Sequence, residues 1–212
     1  MIEKGYAVLA IGYFKTTMTP RHLDRISLNA IRVTIVSVAQ HPKIDASKII
    51  LMRGSRGGEL VLNLASRYAE FNRVIAMSTS NVSFPALTWF ANTSSWMYDD
   101  KEVSYVTAPL KKISPALKGD LYTAHTMMLE DKNAVKKAEI HVEKINGALL
   151  ILSGKNDDQW PPYEMSEQII NRFEKNNFEH FYRHAQLDGG HVAPLQHFNL
   201  VYEFLEEHFK IE

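Results

Sequence analysis

Lys48-Ile49-Ile50-Leu51-Met52-Arg53-Gly54-Ser55-Arg56-Gly57-Gly58-Glu59-Leu60 reads as an apolar strand, a glycine-rich turn and the start of a helix. The small residues Gly54, Gly57 and Gly58 permit a tight turn and close helix–strand packing. A serine in such a turn projects its hydroxyl above the sheet edge. The next backbone N–H, that of Arg56, is placed to donate to a developing oxyanion, and the helix N-terminus adds positive potential there. The competing reading is a phosphate cradle, but such a loop ends in Gly-Lys-Ser/Thr, which is absent here.

Outward from this turn, short apolar runs alternate with helical patterns. Tyr6-Ala7-Val8-Leu9-Ala10-Ile11 reads as a buried strand, and Leu23, Ile26, Ala30, Ile31, Ile35 and Val38 recur at helical spacing up to His41-Pro42. Lys48 to Met52 is the next strand, Glu59 to Tyr68 a helix, and Val74 to Met77 another strand. Ala148 to Leu152, a helix over Tyr163 to Lys175, a strand near Phe178 to Tyr182 and a final helix over Phe198 to Phe209 complete the pattern. Strand–helix alternation implies right-handed βαβ crossovers and a mostly parallel sheet, with ligands at the carboxyl ends of the strands. Residues 80–135 break the pattern, with Trp89, Phe90, Trp96 and Tyr98 set among Ser, Thr and Asn. They read as a lid insertion over a site, or as a connector with surface aromatics. The expected organisation is one α/β domain over 1–212.

Composition narrows the chemistry. The 212 residues are 45% hydrophobic, enough for a packed core. Lys+Arg and Asp+Glu balance at 24 each, which argues against a nucleic-acid partner. There is no cysteine, so thiolate catalysis, disulfides and cysteine metal sites are excluded. No metal site or cofactor is expected. No apolar run approaches the ~20 residues of a membrane span, and no signal peptide is visible, so the expected compartment is the cytoplasm. The sequons at Asn81 and Asn92 are then chance matches.

A nucleophilic serine needs a base. Of nine histidines, His191 stands out in Gly189-Gly190-His191, after a strand and before the last helix. Flanking glycines leave room for an imidazole to approach the nucleophile, and neutral imidazole accepts a proton near pH 7. His184 is its main competitor, and His22, His41, His125, His141, His180, His197 and His208 read as surface or capping residues. The orienting carboxylate is Asp157 or Asp158, in the loop that follows Ala148–Leu152. One of the two is free to cap the helix near Tyr163. The chain order Ser…Asp…His is that of an α/β-hydrolase-type sheet, with each residue following a strand.

These residues resemble the C-terminal catalytic domain shared by acyl-CoA thioesterases and bile acid-CoA:amino acid N-acyltransferases, a dienelactone-hydrolase-like branch. The similar stretches are Gly5 to Ala10 with Tyr13-Phe14, Gly54 to Leu60, Ile140 to Gly147, Leu150 to Gly154 through Asp157 to Trp160-Pro161, and Gly190-His191. The resemblance implies Ser55 as nucleophile, His191 as base and Asp157 as acid, with Asp158 as the alternative. It implies an acyl thioester, or a related ester, as the small-molecule partner. The N-acyltransferases carry a cysteine nucleophile, so serine at 55 implies transfer to water. Arg53, Arg56, Lys111 and Lys112 are candidates to meet a coenzyme A phosphate.

Two features depart from the family pattern. Arg53 stands where the first elbow glycine is usual, and the chain starts after the strand whose loop supplies the second oxyanion donor. In the usual order that strand lies between Tyr6–Ile11 and Lys48–Met52. The chain is therefore expected to be N-terminally truncated relative to the family: as a fragment of a longer protein, with those two strands pairing directly, or with a partner chain filling the gap in a homo-oligomer. Loss of one oxyanion donor costs about 10²–10³ in turnover. The alternative readings are an inactive truncated domain serving binding or oligomerisation, and a carboxylesterase or peptidase on the same scaffold.

Overall fold

A computed structural model describes residues 1–209. Four strands, β2 (Ile50–Gly54), β3 (Arg73–Met77), β6 (Ala148–Gly154) and β7 (Tyr182–Leu187), form an all-parallel sheet in the order β2-β3-β6-β7. A small second sheet joins β1 (Ile26–Ser27), β4 (Trp96–Tyr98) and β5 (Lys101–Glu102). The helices are α1 (Leu28–Ala39), α2 (Arg56–Ala65), α3 (Ile113–Leu117), α4 (Leu121–Met128), α5 (Lys132–Ala138), α6 (Pro162–Lys175) and α7 (Phe198–His208).

The central strands are apolar from Val74 to Met77 in β3 and from Ala148 to Leu152 in β6, because both of their faces are covered. Alternate side chains divide between two cores. Leu51, Val74, Ala76, Leu149 and Ile151 pack with α1, α2 and α6, while Ile75, Met77, Leu150 and Leu152 pack with α7. Register aligns the carboxyl ends: Gly54 pairs with Met77, Met77 with Leu152, and Gly154 with Leu187. The segments that begin at Ser55, Ser78, Lys155 and Asp188 therefore leave the sheet at one edge.

Tyr6–Ile11, expected as a buried strand, is not one. Tyr6 packs beside α7, with its ring 5.4 Å from Phe209, whereas Ile11, Tyr13 and Phe14 pack on the opposite face of the sheet. The segment thus passes the β2 edge, yet among the described residues it makes no backbone hydrogen bond to β2. Ala7 to Ala10 are exposed, with Val8 at 58% and Leu9 at 43%. Apolar composition matches a strand, but a strand exists only with a hydrogen-bonded neighbour. Direct pairing of this segment with β2 is therefore not what the chain does.

Other boundaries moved for local reasons. The first helix starts at Leu28 rather than Leu23, because Ile26 and Ser27 pair in parallel with Trp96 and Met97, and Ser27 Oγ accepts the Ala30 N–H at 3.1 Å. The last strand is Tyr182–Leu187, not Phe178–Tyr182. Phe178 instead stacks on Phe173 at 4.2 Å, and the strand itself is a mixed polar edge. Residues 80–135 are structured: they hold β4, β5, α3, α4 and the start of α5. Trp96 is fully buried, whereas Trp89 and Phe90 are exposed.

Leu150→Ala is expected to lower stability by about 2–5 kcal/mol, and Leu9→Ser to change it by no more than about 0.5 kcal/mol, both measured by urea denaturation. Comparable losses would mean that Tyr6–Ile11 is part of the sheet after all.

Candidate active site

Ser55 occupies the turn between β2 and α2 with φ 59° and ψ −133°. A β-carbon makes that region costly, and such outliers gather at functional sites. The turn is held because the Ser55 N–H donates to Met77 O at 2.9 Å and Ser55 O accepts from Gly58 N at 2.8 Å. The Arg56 and Gly57 N–H groups, in the first turn of α2, have no acceptor among the described residues. Arg53, in place of a glycine, is accommodated by Gly57. A Cβ on Gly57 would lie 3.0 Å from Arg53 Cβ, so one glycine of the facing pair suffices. Arg53 itself is exposed, its guanidinium 5.8 Å from the Tyr13 ring centroid.

His191 and Asp157 meet at the same edge, with His191 Nδ1 2.7 Å from Asp157 Oδ2. A carboxylate oxygen facing Nδ1 accepts, so Nδ1 carries the proton, and in a neutral imidazole Nε2 is then the acceptor. The Asp157 side chain is fully buried, and its Oδ1 accepts the Gln159 N–H at 2.8 Å. A close approach and a left-handed backbone make the meeting possible. A Cβ on Gly154 would lie 2.2 Å from Gly190 O, and Gly189 has φ 122°. Backbone bonds then join the two loops, from Lys155 N to Leu187 O and from Asn156 N to Gly189 O, each at 2.9 Å.

Ser55 Oγ makes no hydrogen bond to His191 among the described residues. Both are tied to the end of β3, Ser55 through Met77 and His191 through its carbonyl, which accepts from Ser78 Oγ at 2.8 Å. Asp158 is exposed and binds Gln159 Nε2 at 3.1 Å; it does not cap α6. His184, the competing base, faces α6. Its Nε2 is 2.7 Å from Ser153 Oγ and its Nδ1 2.9 Å from Glu167 Oε1.

An aromatic wall stands behind His191. Trp160 meets the imidazole edge-on at 5.6 Å, and Phe84 stacks on Trp160 at 5.7 Å. His125, read from sequence as a surface residue, belongs to this wall, with its ring 4.8 Å from Phe84 and 5.3 Å from Trp160. Its Nδ1 lies between two carbonyls, Leu121 O at 2.9 Å and Gln159 O at 2.8 Å, and so bears the proton. Burial pushes the His125 pKa down to about 4.

Glu59 was read only as the start of a helix, yet it is fully buried and paired with Arg56. Its signal lay in spacing: Glu59 and Asn63 are four apart in a helix whose other residues after Arg56 are glycine or apolar. Burial raises the Glu59 pKa to about 7 against the pull of Arg56. The Arg56 guanidinium is thereby withdrawn from any phosphate. Lys111 pairs with Glu130, and the ammonium of Lys112 is destabilised by burial.

A family model described as BAAT / Acyl-CoA thioester hydrolase C terminal matches residues 32–200. The chain belongs to that family. Mouse acyl-coenzyme A thioesterase 1 is 25% identical over 178 residues, covering 83% of this chain and 40% of that protein. Mouse acyl-coenzyme A amino acid N-acyltransferase 1 is 25% identical over 161 residues, 74% of this chain and 35% of that protein. This member of the family thus spans two fifths or less of these curated relatives. Uncomplexed acylaminoacyl peptidase from Pyrococcus horikoshii superposes with a TM-score of 0.58 at 18% identity, over 86% of this chain and 28% of that one. The fold is that of the α/β hydrolases. Among the described residues no helix is long and apolar enough to cross a membrane.

Gly154→Ala is expected to cost about 1–3 kcal/mol in urea denaturation and to abolish the downfield His191 Nδ1–H proton resonance; an unchanged resonance would show that the loops tolerate the extra carbon. His125 sets a pH prediction. Its folded pKa, near 4, lies below the ordinary 6.5, so its stabilising contribution is complete above 6.5 and is lost as pH falls toward 4. His125→Gln should flatten the fall of Tm between pH 7 and 4, and an unaltered slope would exclude this source.

Proposed function

We propose that this chain carries a serine hydrolase site for acyl thioesters or related esters, with Ser55 as nucleophile, His191 as base and Asp157 as the orienting acid. The observation that carries the reading is the 2.7 Å hydrogen bond from His191 to the buried Asp157, at the sheet edge where Ser55 occupies a strained strand-to-helix turn. Nε2 of His191 is the free lone pair that a serine proton requires. In this reading Ser55 Oγ attacks the acyl carbonyl and gives its proton to His191. The Arg56 N–H receives the oxyanion, the C–S bond breaks, and the thiolate leaves with the His191 proton. Water, deprotonated by His191, then attacks the acyl-serine. The carboxylic acid departs and Ser55 regains its proton. The names of the relatives, thioesterases of acyl-coenzyme A, favour an acyl-CoA as the thioester.

A second reading, a non-catalytic binding module, is favoured by the open edge of β2. No described segment pairs there, and Arg56 is the one oxyanion donor that the hydrolase reading names. The two readings separate on one experiment. The full chain is treated with a fluorophosphonate and then assayed on an acyl-CoA, a p-nitrophenyl ester and an acyl-peptide. Labelling at Ser55 that Ser55→Ala abolishes, with a kcat loss of about 10³–10⁴ for Asp157→Asn, is the expected outcome. A folded chain that takes no label and turns over no ester is the module. Preference for the peptide would transfer the assignment to a peptidase.

A further inference from the structure

The first turn of α2 contains a buried ion pair that the reaction just described does not use. Arg56 Nη1 lies 2.6 Å from Glu59 Oε2. Arg56 Nη2 donates to the carbonyls of Phe84 at 2.9 Å and Pro85 at 2.8 Å, and to Ser95 Oγ. Glu59 Oε1 accepts from Trp96 Nε1 and from the Phe84 N–H at 3.3 Å. Phe84 is therefore clamped from both sides, its N–H by Glu59 and its C=O by Arg56. The ring of Phe84 stacks on Trp160, which faces His191.

We propose that Arg56 and Glu59 are positioning residues, whose ion pair sets the Arg56 peptide N–H in register with the aromatic wall behind His191. This rests on the hydrolase reading, in which that N–H receives the oxyanion. Energetics favour a geometric role over plain stability. Taking two charges out of water costs several kcal/mol per ion, and an apolar pair of similar volume is often as stable or more so. Here Arg56 Nε is buried with no hydrogen-bond partner among the described residues, a further cost. What the pair supplies instead is direction. A planar guanidinium held by a carboxylate, two carbonyls and a hydroxyl has one orientation, and it tethers the first turn of α2 to Phe84, Pro85 and Ser95. Apolar side chains would fill the space without fixing that angle. One rigid connection then runs from the nucleophile turn through Phe84 and Trp160 to His191, so oxyanion donor and base are set together.

The test uses the full chain with Glu59→Gln and with the double substitution Arg56→Met, Glu59→Leu. Tm, steady-state hydrolysis of an acyl thioester and the rate of Ser55 labelling by a fluorophosphonate are measured for each. Glu59→Gln is expected to lower kcat and the labelling rate by about 10²-fold, the loss typical of a 1 Å misplacement, with KM changed less than about threefold. The double variant is expected to regain the wild-type Tm but not the labelling rate. A double variant that is as stable and labels as fast as wild type overturns the proposal, and so does a Glu59→Gln protein with unchanged kcat. Should Glu59→Gln fail to fold, the double variant carries the decision alone. A wild-type chain that takes no label at Ser55 would sink the hydrolase reading itself, which is a different result from equal labelling of wild type and variant.

Discussion

Strand β3 shares backbone hydrogen bonds with β2 on one side and β6 on the other, and its last residue, Met77, is paired on both sides, with Gly54 and Leu152. Parallel pairing in this register ends β2 and β3 together, and β6 continues past Leu152 to Gly154. Ser55 leaves β2 one residue beyond that shared end, tied to Met77 O; Ser78 leaves β3 one residue beyond it and binds the carbonyl of His191. A shift of one residue in either ladder would turn every side chain of the slipped strand to the other face. Leu51 and Leu149 would then change cores, which makes the register, and with it the site, a consequence of burial.

On that frame the site is held by close contacts that each need a particular small residue. Gly154 admits the carbonyl of Gly190, and Gly57 admits the side chain of Arg53. The loop bearing Asp157 and the loop bearing His191 are joined by main-chain bonds, so their side-chain contact is set by backbone geometry. Polar groups that could compete are placed elsewhere. His184 is committed to Ser153 and Glu167 in an arrangement that resembles a relay, but Ser153 is fully buried and beyond the reach of a substrate.

The segment 80–135 couples to this frame rather than lying loosely above it. Arg56 and Glu59 reach from α2 to Phe84, Pro85, Ser95 and Trp96, and Asn63 Nδ2 meets Ser83 Oγ at 3.0 Å. All ten residues of α2 are buried, because the sheet covers one side and this segment another. Within this segment Phe84, Trp96 and Val106 are core residues, whereas Leu87, Trp89 and Phe90 are exposed.

The alternation of apolar runs and helical patterns was enough to read the parallel sheet, because β3 and β6 are covered on both faces and are apolar from Val74 to Met77 and from Ala148 to Leu152. The order of Ser55, Asp157 and His191, and their places after strands, were legible for the same reason: a residue's distance from the end of a strand is a property of the chain alone. Composition could not tell whether Tyr6–Ile11 has a neighbour. Strand pairing is a long-range bond, and an apolar run looks the same with or without it. Nor could it show that Glu59 and Arg56 are buried together, or that His125 stands beside Trp160, since each contact joins residues that only the folded chain brings close. Of the two adjacent carboxylates, sequence left both available, and the residue-by-residue resemblance fell on Asp157. Tertiary structure decided which one meets the imidazole, because the turn after Gly154 directs Asp157 inward and Asp158 to water.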